Sequence, residues 1–156
     1  TPFRYWKARN HEGGVATPLI AHWPRGLKTK AGSITHEPGH VIDIMATCVD
    51  LAKTKYPGKY KGRDITPVEG KSLAPIFSRG KRQGHEAIYF EHYGNRAIRK
   101  GAWKLVGLGG KPWELYDLES DRTETENLAA KHPERVKELE ELWNAWAKRA
   151  KVSPRP

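Results

Sequence analysis

The sequence predicts an α/β chain with α+β character, in which the end of a central sheet precedes a four-stranded antiparallel sheet packed by a long C-terminal helix. Three features predict this fold. A near-continuous apolar run occupies residues 15–23, strand-like runs follow one another over 87–117, and apolar residues recur at helical spacing over 133–147. We therefore expect part of an α/β core over residues 1–80 and an antiparallel-sheet subdomain with its terminal helix over 81–156.

The N-terminal segment predicts a loop followed by a buried strand. Residues 1–14 mix aromatic and cationic side chains and end in Gly13 and Gly14, which favours an irregular loop closing in a tight turn. The apolar run after it is typical of a strand buried on both faces. Pro18 cannot donate to a sheet ladder, so the regular strand is expected over 19–23. The unpaired edges of such a strand predict association with a partner chain or self-association.

The middle of the sequence predicts two helices joined by a long connection. Apolar residues at helical spacing predict the first helix, with Asp43 as its cap. These residues are Ile42, Ile44, Met45, Cys48, Val49, Leu51 and Ala52. Residues 53–71 are polar and rich in Gly and Pro, which indicates a surface connection leading to a short helix at 73–77. Cys48, the only cysteine, is predicted to be buried, and it excludes an intrachain disulfide and a Cys-based zinc site.

Strand-like runs separated by turn signals predict an antiparallel meander. The runs are 87–91, 96–99, 103–106 and 113–117. The alternation within 96–99 predicts one buried face and one wet face. A helix of about five turns is expected to begin at Pro133 and to cover the meander. Its apolar side chains are Val136, Leu139, Leu142, Trp143, Trp146 and Ala147.

The positive charge of the chain favours an anionic partner but does not identify its class. Lys and Arg total 28 against 18 Asp and Glu, a formal charge of +10, which suits nucleic acid, an anionic polysaccharide or a sulfated substrate. The cations are scattered and no nucleic-acid-binding signature accompanies them, so a solvated surface is favoured over a nucleic-acid site. No run approaches the ~20 apolar residues of a membrane span. His36 and His40 alone have the spacing of a helical metal site, but Pro38 argues against a helix there, so no metal ligands are assigned.

Two clusters of polar side chains are candidates for a site. Lys7 shares the N-terminal loop with Arg4, Arg9 and His11, and such cations beside a buried strand suit an oxyanion; exposed loop charges are the alternative. The second cluster follows the first meander strand and combines a carboxylate, an imidazole, an amide and a guanidinium. These groups suit a polar substrate or, equally, cross-strand pairs on a wet face. Its members are Glu91, His92, Asn95 and Arg96.

The N-terminal loop resembles a pattern of the sulfatase family. In sulfatases a Lys-x-x-x-x-Glu-Gly-Gly segment precedes a strand of the central sheet. Lys7 with Glu12-Gly13-Gly14, followed by the apolar run ending in Trp23-Pro24, agrees with it residue for residue. Further segments are similar to the family in the same order, and together they cover most of the chain. They are 40–47, with Ala46 where proline is common, 69–73, 91–99, 101–105, 113–118 and 126–128.

The resemblance implies an arylsulfatase-type hydrolase with an alkaline-phosphatase-like fold. Lys7 is then expected to contact the sulfate group and to neutralise charge as the ester bond breaks. Glu12 is expected to satisfy backbone donors and so to fix the loop that aims Lys7. The resemblance places the second cluster near the active-site mouth, and we assign substrate binding to its members together with His11. The implied substrate is a sulfated small molecule or glycan.

The resemblance also implies groups that this sequence does not supply. Sulfatases use a formylglycine made within a Cys-x-Pro-Ser-Arg segment, and a calcium held by an Asp-Asp pair and a later Asp-Asn pair. Cys48 is followed by Val49-Asp50-Leu51, and neither aspartate pair occurs. Calcium and formylglycine are therefore expected in an N-terminal domain of a complete, periplasmic or secreted enzyme, and the isolated chain is expected to be inactive. A non-catalytic module that binds anionic glycans or another chain through its basic surface is the alternative.

Overall fold

The computed structural model describes residues 2–152, which form two compact units. One, here the sheet unit, comprises Thr1–Leu19 and Glu86–Pro156, and the other, the middle unit, comprises Ile20–His85. Within residues 2–152 no helix combines the length and the apolar character needed to cross a membrane. The domain boundary expected at residue 80 refers to the complete enzyme and stays a prediction. In chain order the elements are α1 (Glu12–Val15), α2 (Ile42–Leu51), β1 (Lys59–Tyr60), β2 (Arg63–Asp64), α3 (Ala74–Arg79), β3 (Ile88–His92), β4 (Asn95–Lys100), β5 (Trp103–Gly107), β6 (Glu114–Asp117) and α4 (Pro133–Arg149).

The sheet unit contains the antiparallel meander that the sequence predicts. Its strands lie in the order β3-β4-β5-β6, each hydrogen-bonded to the next along the chain. His92 faces Asn95 across the first hairpin, so Tyr93 and Gly94 form a two-residue turn. Their φ angles of 51° and 80° match the twist of a tight hairpin. The predicted four-stranded sheet is confirmed.

Helix α4 packs against one face of this sheet, as predicted. It begins at Pro133, whose missing N–H is not needed in a first helical turn, and carries Lys148 and Arg149 near its C-terminus, where cations interact favourably with the helix dipole. Trp143 donates its Nε1–H to the carbonyl oxygen of Phe90 at 3.1 Å, which ties α4 to β3. The buried core between helix and sheet comprises Ile98, Leu105, Trp113, Leu115, Leu139, Trp143 and Ala147.

The opposite face of the sheet is buried as well, so the predicted wet face is wrong. On that face Ala97 and Val106 are 0% exposed and Tyr116 is 1% exposed. The N-terminal segment covers it: the Arg4 guanidinium donates to the Tyr116 hydroxyl, and the His11 ring lies 6.3 Å from the Tyr116 ring. Alternation along a strand cannot reveal a covering segment that lies far away in the sequence.

The strand predicted at residues 19–23 does not form. Residues 16–23 have no regular secondary structure, and Leu19 and Ile20 are 63% and 88% exposed. A strand needs a neighbour for its backbone N–H and C=O groups, and none of the strands in residues 2–152 pairs with this segment. The apolar run is therefore not a strand within this chain.

In the middle unit, α2 forms where predicted but buries its polar side chains. Asp43 and Thr47 are buried, whereas Ile44 is 48% exposed. Cys48 is exposed, so the predicted buried thiol is wrong. Leu73 is the one large apolar side chain that the described part of this unit buries. The interior of the middle unit is therefore organised around a carboxylate and not around an apolar cluster.

That carboxylate belongs to Asp43, and with its partners it forms what we call the Asp43 hub. It accepts hydrogen bonds from the backbone N–H groups of His40 at 2.9 Å and Lys71 at 2.8 Å. The Arg82 guanidinium lies 2.7 Å from it and the His85 ring 2.6 Å. Burial alone would raise the pKa of Asp43, but these hydrogen bonds outweigh burial and lower the pKa to about 2. Asp43 thus joins the start of α2 to two later segments.

Candidate functional site

Lys7 lies exposed on a sharply turning loop at residues 4–11, which we call the Lys7 loop. Tyr5 and Ala8 on either side have left-handed φ angles of 60° and 72°. This conformation costs a non-glycine residue roughly 1–3 kcal/mol, so other contacts must hold the loop. Lys7 itself forms no hydrogen bond or ion pair with any residue between 2 and 152. Its ammonium group is available to a ligand.

The two glycines after Glu12 allow the Lys7 loop to pack directly on α1. A Cβ atom on Gly13 would lie 2.1 Å from the carbonyl oxygen of Tyr5, and one on Gly14 would lie 1.8 Å from that of Arg9. The Gly13 N–H also donates to the carbonyl oxygen of Arg4 at 3.0 Å. Only glycine permits this approach of backbone to backbone. The presence of two glycines directly after Glu12 therefore has a steric cause.

A buried group of three charges, the Glu12–Lys104–Glu124 triad, fastens the end of the loop to the sheet. The Lys104 ammonium lies 2.8 Å from Oε1 of Glu12 and 2.9 Å from Oε1 of Glu124. All three side chains are at most 5% exposed. The Glu12 N–H donates to Oε2 of Glu124 at 2.7 Å, and burial raises the pKa of Glu124 although Lys104 opposes this. Glu12 fixes the loop, but its carboxylate binds an ammonium group and not the backbone donors that the sequence suggests.

Asn95, the first residue of β4, joins the Lys7 loop to the β3–β4 hairpin. Its Nδ2 donates to the carbonyl oxygens of Ala8 at 2.7 Å and His92 at 2.9 Å. Its Oδ1 accepts from Nη1 of Arg9 at 3.3 Å, and its backbone carbonyl accepts from Nδ2 of Asn10 at 2.8 Å. The residue is 1% exposed. Every polar atom of the Asn95 side chain is thus bonded within the protein.

The other members of the second cluster differ in their exposure to solvent. His92 is exposed, with its ring 4.3 Å from the Tyr93 ring. Glu91 is half-buried and accepts the Gly94 N–H at 2.8 Å, which stabilises the hairpin turn. Arg96 stacks its guanidinium 3.9 Å from the centre of the Trp113 ring. The substrate-binding roles of these residues stay predictions, and His92 is the one whose ring is open to solvent.

His11 is placed inside the protein. It is 0% exposed, and its Nε2 lies 3.1 Å from Oε2 of Glu114, which also pairs with Arg4 at 2.9 Å. Burial lowers the pKa of His11, against the opposing effect of Glu114, so the ring favours its neutral form. The predicted contact of His11 with substrate stays untested. A cavity of about 520 Å³ lies beside this network, lined by Pro2, Arg4, Glu114, Tyr116, Thr123, Glu124, Thr125 and Asn127.

Sequence reasoning missed the charged residues that anchor the loop. Lys104 carried a usable signal, because it lies on the same face of β5 as Val106, and a lysine between apolar residues on a buried face requires a charged partner. Glu124 carried none, since it lies in an irregular segment after β6.

No metal site is formed by the residues that the structure describes. Between residues 2 and 152 no group of three or more His, Cys, Asp or Glu side chains is arranged to hold a metal ion. The buried carboxylates of Asp43 and Glu12 are already paired with Arg82 and Lys104. Residues 2–152 therefore offer no fit for a calcium ion.

Similarity to known proteins extends over nearly the whole chain. The family model described as N-sulphoglucosamine sulphohydrolase, C-terminal, matches residues 3–150. The chain is 38% identical over 149 residues to an uncharacterized sulfatase of Schizosaccharomyces pombe, a match that covers 91% of this chain and 26% of that protein. It is 28% identical over 155 residues to an N-acetylgalactosamine-6-O-sulfatase of Bacteroides thetaiotaomicron, covering 90% of this chain and 29% of that protein. The chain thus spans between a quarter and a third of the length of these relatives.

Solved structures share the fold. One is a Bacteroides thetaiotaomicron protein described in connection with the metabolism of multiple glycosaminoglycans; it has a TM-score of 0.77 and 25% identity, and the match covers 94% of this chain and 32% of that one. Another was solved in complex with its substrate, D-glucosamine-2-N,6-O-disulfate. Its TM-score is 0.61 at 24% identity, with 83% of this chain and 27% of that one covered, so it shows the fold alone.

Proposed function

The chain belongs to the sulfatase family, as its motifs predict, and we propose that it completes the active site of an enzyme that hydrolyses sulfate esters. In this proposal it contributes Lys7 and a substrate-facing rim that includes His92. The observation that carries the proposal is the Lys7 loop, in which an unpaired, exposed ammonium group lies between Arg4, which bonds to Glu114, and the buried anchors at Ala8 and Glu12. A surface lysine without such a role needs no anchoring.

The chemistry of Lys7 follows from its charge. The sulfate group carries negative charge in the substrate, and more develops on the leaving oxygen as the S–O bond breaks. A compact ammonium group can contact a sulfate oxygen and the leaving oxygen in turn. Because hydrogen bonds and an ion pair already hold the loop within the chain, little reorganisation is needed when the charge moves. Lys7 would therefore stabilise the transition state more than the bound substrate.

The nucleophile and the metal belong, on this proposal, to the rest of the complete enzyme. Cys48 lies in Cys48-Val49-Asp50 on α2 and does not fit a formylglycine segment, and the described residues do not fit calcium. An N-terminal sulfatase domain would supply both. The exposed large apolar side chains of the middle unit support such a partner, because an interface would remove their apolar surface from water. They include Ile20, Trp23, Ile34, Val41, Ile44 and Met45.

The proposed substrate class is a sulfated sugar or another sulfated small molecule. Relatives named for such substrates include the N-acetylgalactosamine-6-O-sulfatase above and a steryl-sulfatase of Mus musculus, 33% identical over 114 residues that cover 73% of this chain and 16% of that protein. The identity of the substrate depends on the complete active-site mouth, of which this chain would form the part around His92.

Two measurements test the proposed function. In the complete enzyme Lys7→Ala should lower kcat on an aryl sulfate by about 10²–10³-fold, since it removes a charge that acts in the transition state. Lys137→Ala, which removes an exposed lysine on α4, is the matched control and should leave kcat unchanged. The purified 156-residue chain should show no turnover. Turnover by that chain which survives Lys7→Ala would contradict the proposal.

A second candidate function, binding of anionic glycans without hydrolysis, is favoured by the β1–β2 hairpin. Residues 53–63 are almost all exposed and interleave lysines with Tyr56 and Tyr60, the latter 62% exposed. Cations and open aromatic faces suit a sulfated polysaccharide. This function predicts retention on immobilised sulfated polysaccharide that weakens with salt, and that Lys59→Ala with Lys61→Ala reduces. Unchanged retention of the double variant would show that the β1–β2 hairpin is not the binding site for the polysaccharide.

A further inference from the structure

We infer that Asn95 is a positioning residue for Lys7: its buried amide fixes the Lys7 loop against the β3–β4 hairpin, and with it the distance between Lys7 and His92. This inference rests on the proposed sulfate contact of Lys7. Asn95 was assigned above to substrate binding on sequence grounds. Its 1% exposure and fully bonded side chain support action through the loop instead.

Asn95 contacts both the Lys7 loop and the β3–β4 hairpin, the two segments that would contact a sulfate ester in the proposed function. One amide hydrogen holds the carbonyl of Ala8, directly after Lys7 in the chain, and the other holds the carbonyl of His92. The loop and the hairpin lie 87 positions apart in the sequence at the first of these bonds, so no local structure sets their separation. A single planar group does so.

The side-chain chemistry explains why an asparagine is needed. An amide offers two N–H donors for two carbonyls and an oxygen that accepts from Arg9. An aspartate has the same shape, but a carboxylate oxygen would take the place of Nδ2 and would face the carbonyl oxygens of Ala8 and His92. An alanine would leave both of these carbonyl oxygens without a donor. Either change leaves buried acceptors unsatisfied beside a loop whose Ala8 has a left-handed φ of 72°. Loss of the amide should therefore release the loop.

The first part of the test measures the loop in the 156-residue chain. Hydrogen exchange of the Arg9 and Gly13 amides, which bond to Trp6 and Arg4, should accelerate about tenfold or more in Asn95→Ala, as expected from loss of a buried hydrogen bond. Asn127→Ala is the matched control, because Asn127 also bonds two backbone groups of the sheet unit, at Leu115 and Ala129. It should leave these two amides unchanged. Equal exchange in Asn95→Ala and the unmodified chain would overturn the inference.

The second part measures coupling to Lys7 in the complete enzyme. Asn95→Asp should lower kcat by about 10–100-fold with little change in KM, the loss expected from displacing a charge by about 1 Å. In the Lys7→Ala background the same substitution should change kcat by no more than about twofold, because the group that it positions is gone. A merely structural role predicts losses that multiply, and that result would overturn the inference.

The outcomes separate this inference from the proposed function. If kcat is normal in Asn95→Asp and strongly lowered in Lys7→Ala, the positioning role of Asn95 is wrong and the proposed function stands. If kcat is normal in Lys7→Ala, both the positioning role and the proposed function are wrong. If the Asn95 variants lose their helical circular dichroism signal, Asn10→Ser tests the same anchor from the loop side, since Asn10 donates to the Asn95 carbonyl. Asn10→Ser should lower kcat less than Asn95→Asp does. In the Lys7→Ala background it should no longer lower kcat. Additive effects there would again count against the role.

Discussion

The sheet unit and the middle unit bury different kinds of side chain. The sheet unit closes an apolar core on one face of its sheet with α4, where Ile98, Leu105 and Leu139 are all 0% exposed. In the middle unit the most buried side chain is Asp43, also 0% exposed, while apolar residues of α2 such as Ile44 face outward. Both α4 and α2 carry a stripe of apolar side chains. The stripe of α4 packs into the core of the sheet unit, whereas much of the stripe of α2 is exposed. The difference indicates that the sheet unit has an apolar core of its own, whereas the middle unit leaves apolar side chains of α2 exposed.

The largest expected effect comes from removing the centre of the middle unit. Asp43→Ala leaves Arg82, whose side chain is 1% exposed, as an uncompensated buried cation, and such losses cost about 3–5 kcal/mol. Hydrogen exchange should show opening of α2 and α3 with the sheet unit still protected. Asp50→Ala changes an exposed residue on the same helix whose carboxylate, among the contacts described, bonds only to Ser72, and it should cost less than about 1 kcal/mol. Global unfolding in Asp43→Ala would show that the two units are not separate in stability.

The same apolar substitution in both units sharpens the comparison. Leu139→Ala in α4 should lower the free energy of unfolding by about 2–5 kcal/mol, because the site is fully buried among other side chains. Leu51→Ala in α2, where the leucine is 41% exposed, should cost less than about 1 kcal/mol. Urea denaturation followed by tryptophan fluorescence measures both. Equal losses would mean that α2 has a covered apolar face in solution.

Acid should weaken the middle unit through Asp43. Its pKa is about 2 in the folded protein against an ordinary value of 3.8, so its contribution is fully present above about pH 4 and is lost as the pH falls through 2. The contribution is about 2 kcal/mol at 1.36 kcal/mol per pKa unit. Asp43→Asn should abolish this part of the pH dependence, measured as the stability of the middle unit between pH 4 and 2. A profile unchanged by Asp43→Asn would contradict the assignment.

The smallest effect on stability is expected at the exposed face of α2. Ile44→Gln should change the free energy of unfolding by less than about 0.5 kcal/mol, since the side chain is 48% exposed. It should nevertheless reduce any self-association of the chain in analytical ultracentrifugation, because it replaces an exposed apolar side chain with a polar one. A large loss of stability would instead assign Ile44 to a core.

Sequence patterns predicted the parts of the fold whose partners lie within the chain. The meander and α4 could be predicted because the residues that bury them, such as Leu105 and Leu139, follow the period of their own elements. The strand at 19–23 could not be judged in this way, because a strand forms only when a neighbour pairs with it. Cys48 was misplaced for a related reason: apolar spacing predicts a stripe on a helix but not what the stripe faces.

For the candidate site, the sequence predicts a chemistry that stays a prediction, and it does not reveal the contacts that support the Lys7 loop. Lys7 could be named as a candidate together with the glycine pair because their spacing is local in the sequence. The partners of Glu12 and Asn95 could not, because ion pairs and side-chain hydrogen bonds between distant segments leave no periodic signal in a sequence. Lys104 lies 92 positions from Glu12. His11 was placed among exposed loop cations, whereas Glu114 and Tyr116 hold it inside.

The buried anchors of the Lys7 loop also determine when it can form during synthesis. A chain emerges N-terminus first, yet Asn10 must wait for a partner 85 positions downstream and Glu12 for one 112 positions downstream. Contacts of such separation form slowly, because a long loop must close before any of them is made. The lysine near the start of the chain is therefore among the last side chains to be set in place. A chain that ends before Glu124 would contain the Lys7 loop without one of its buried anchors.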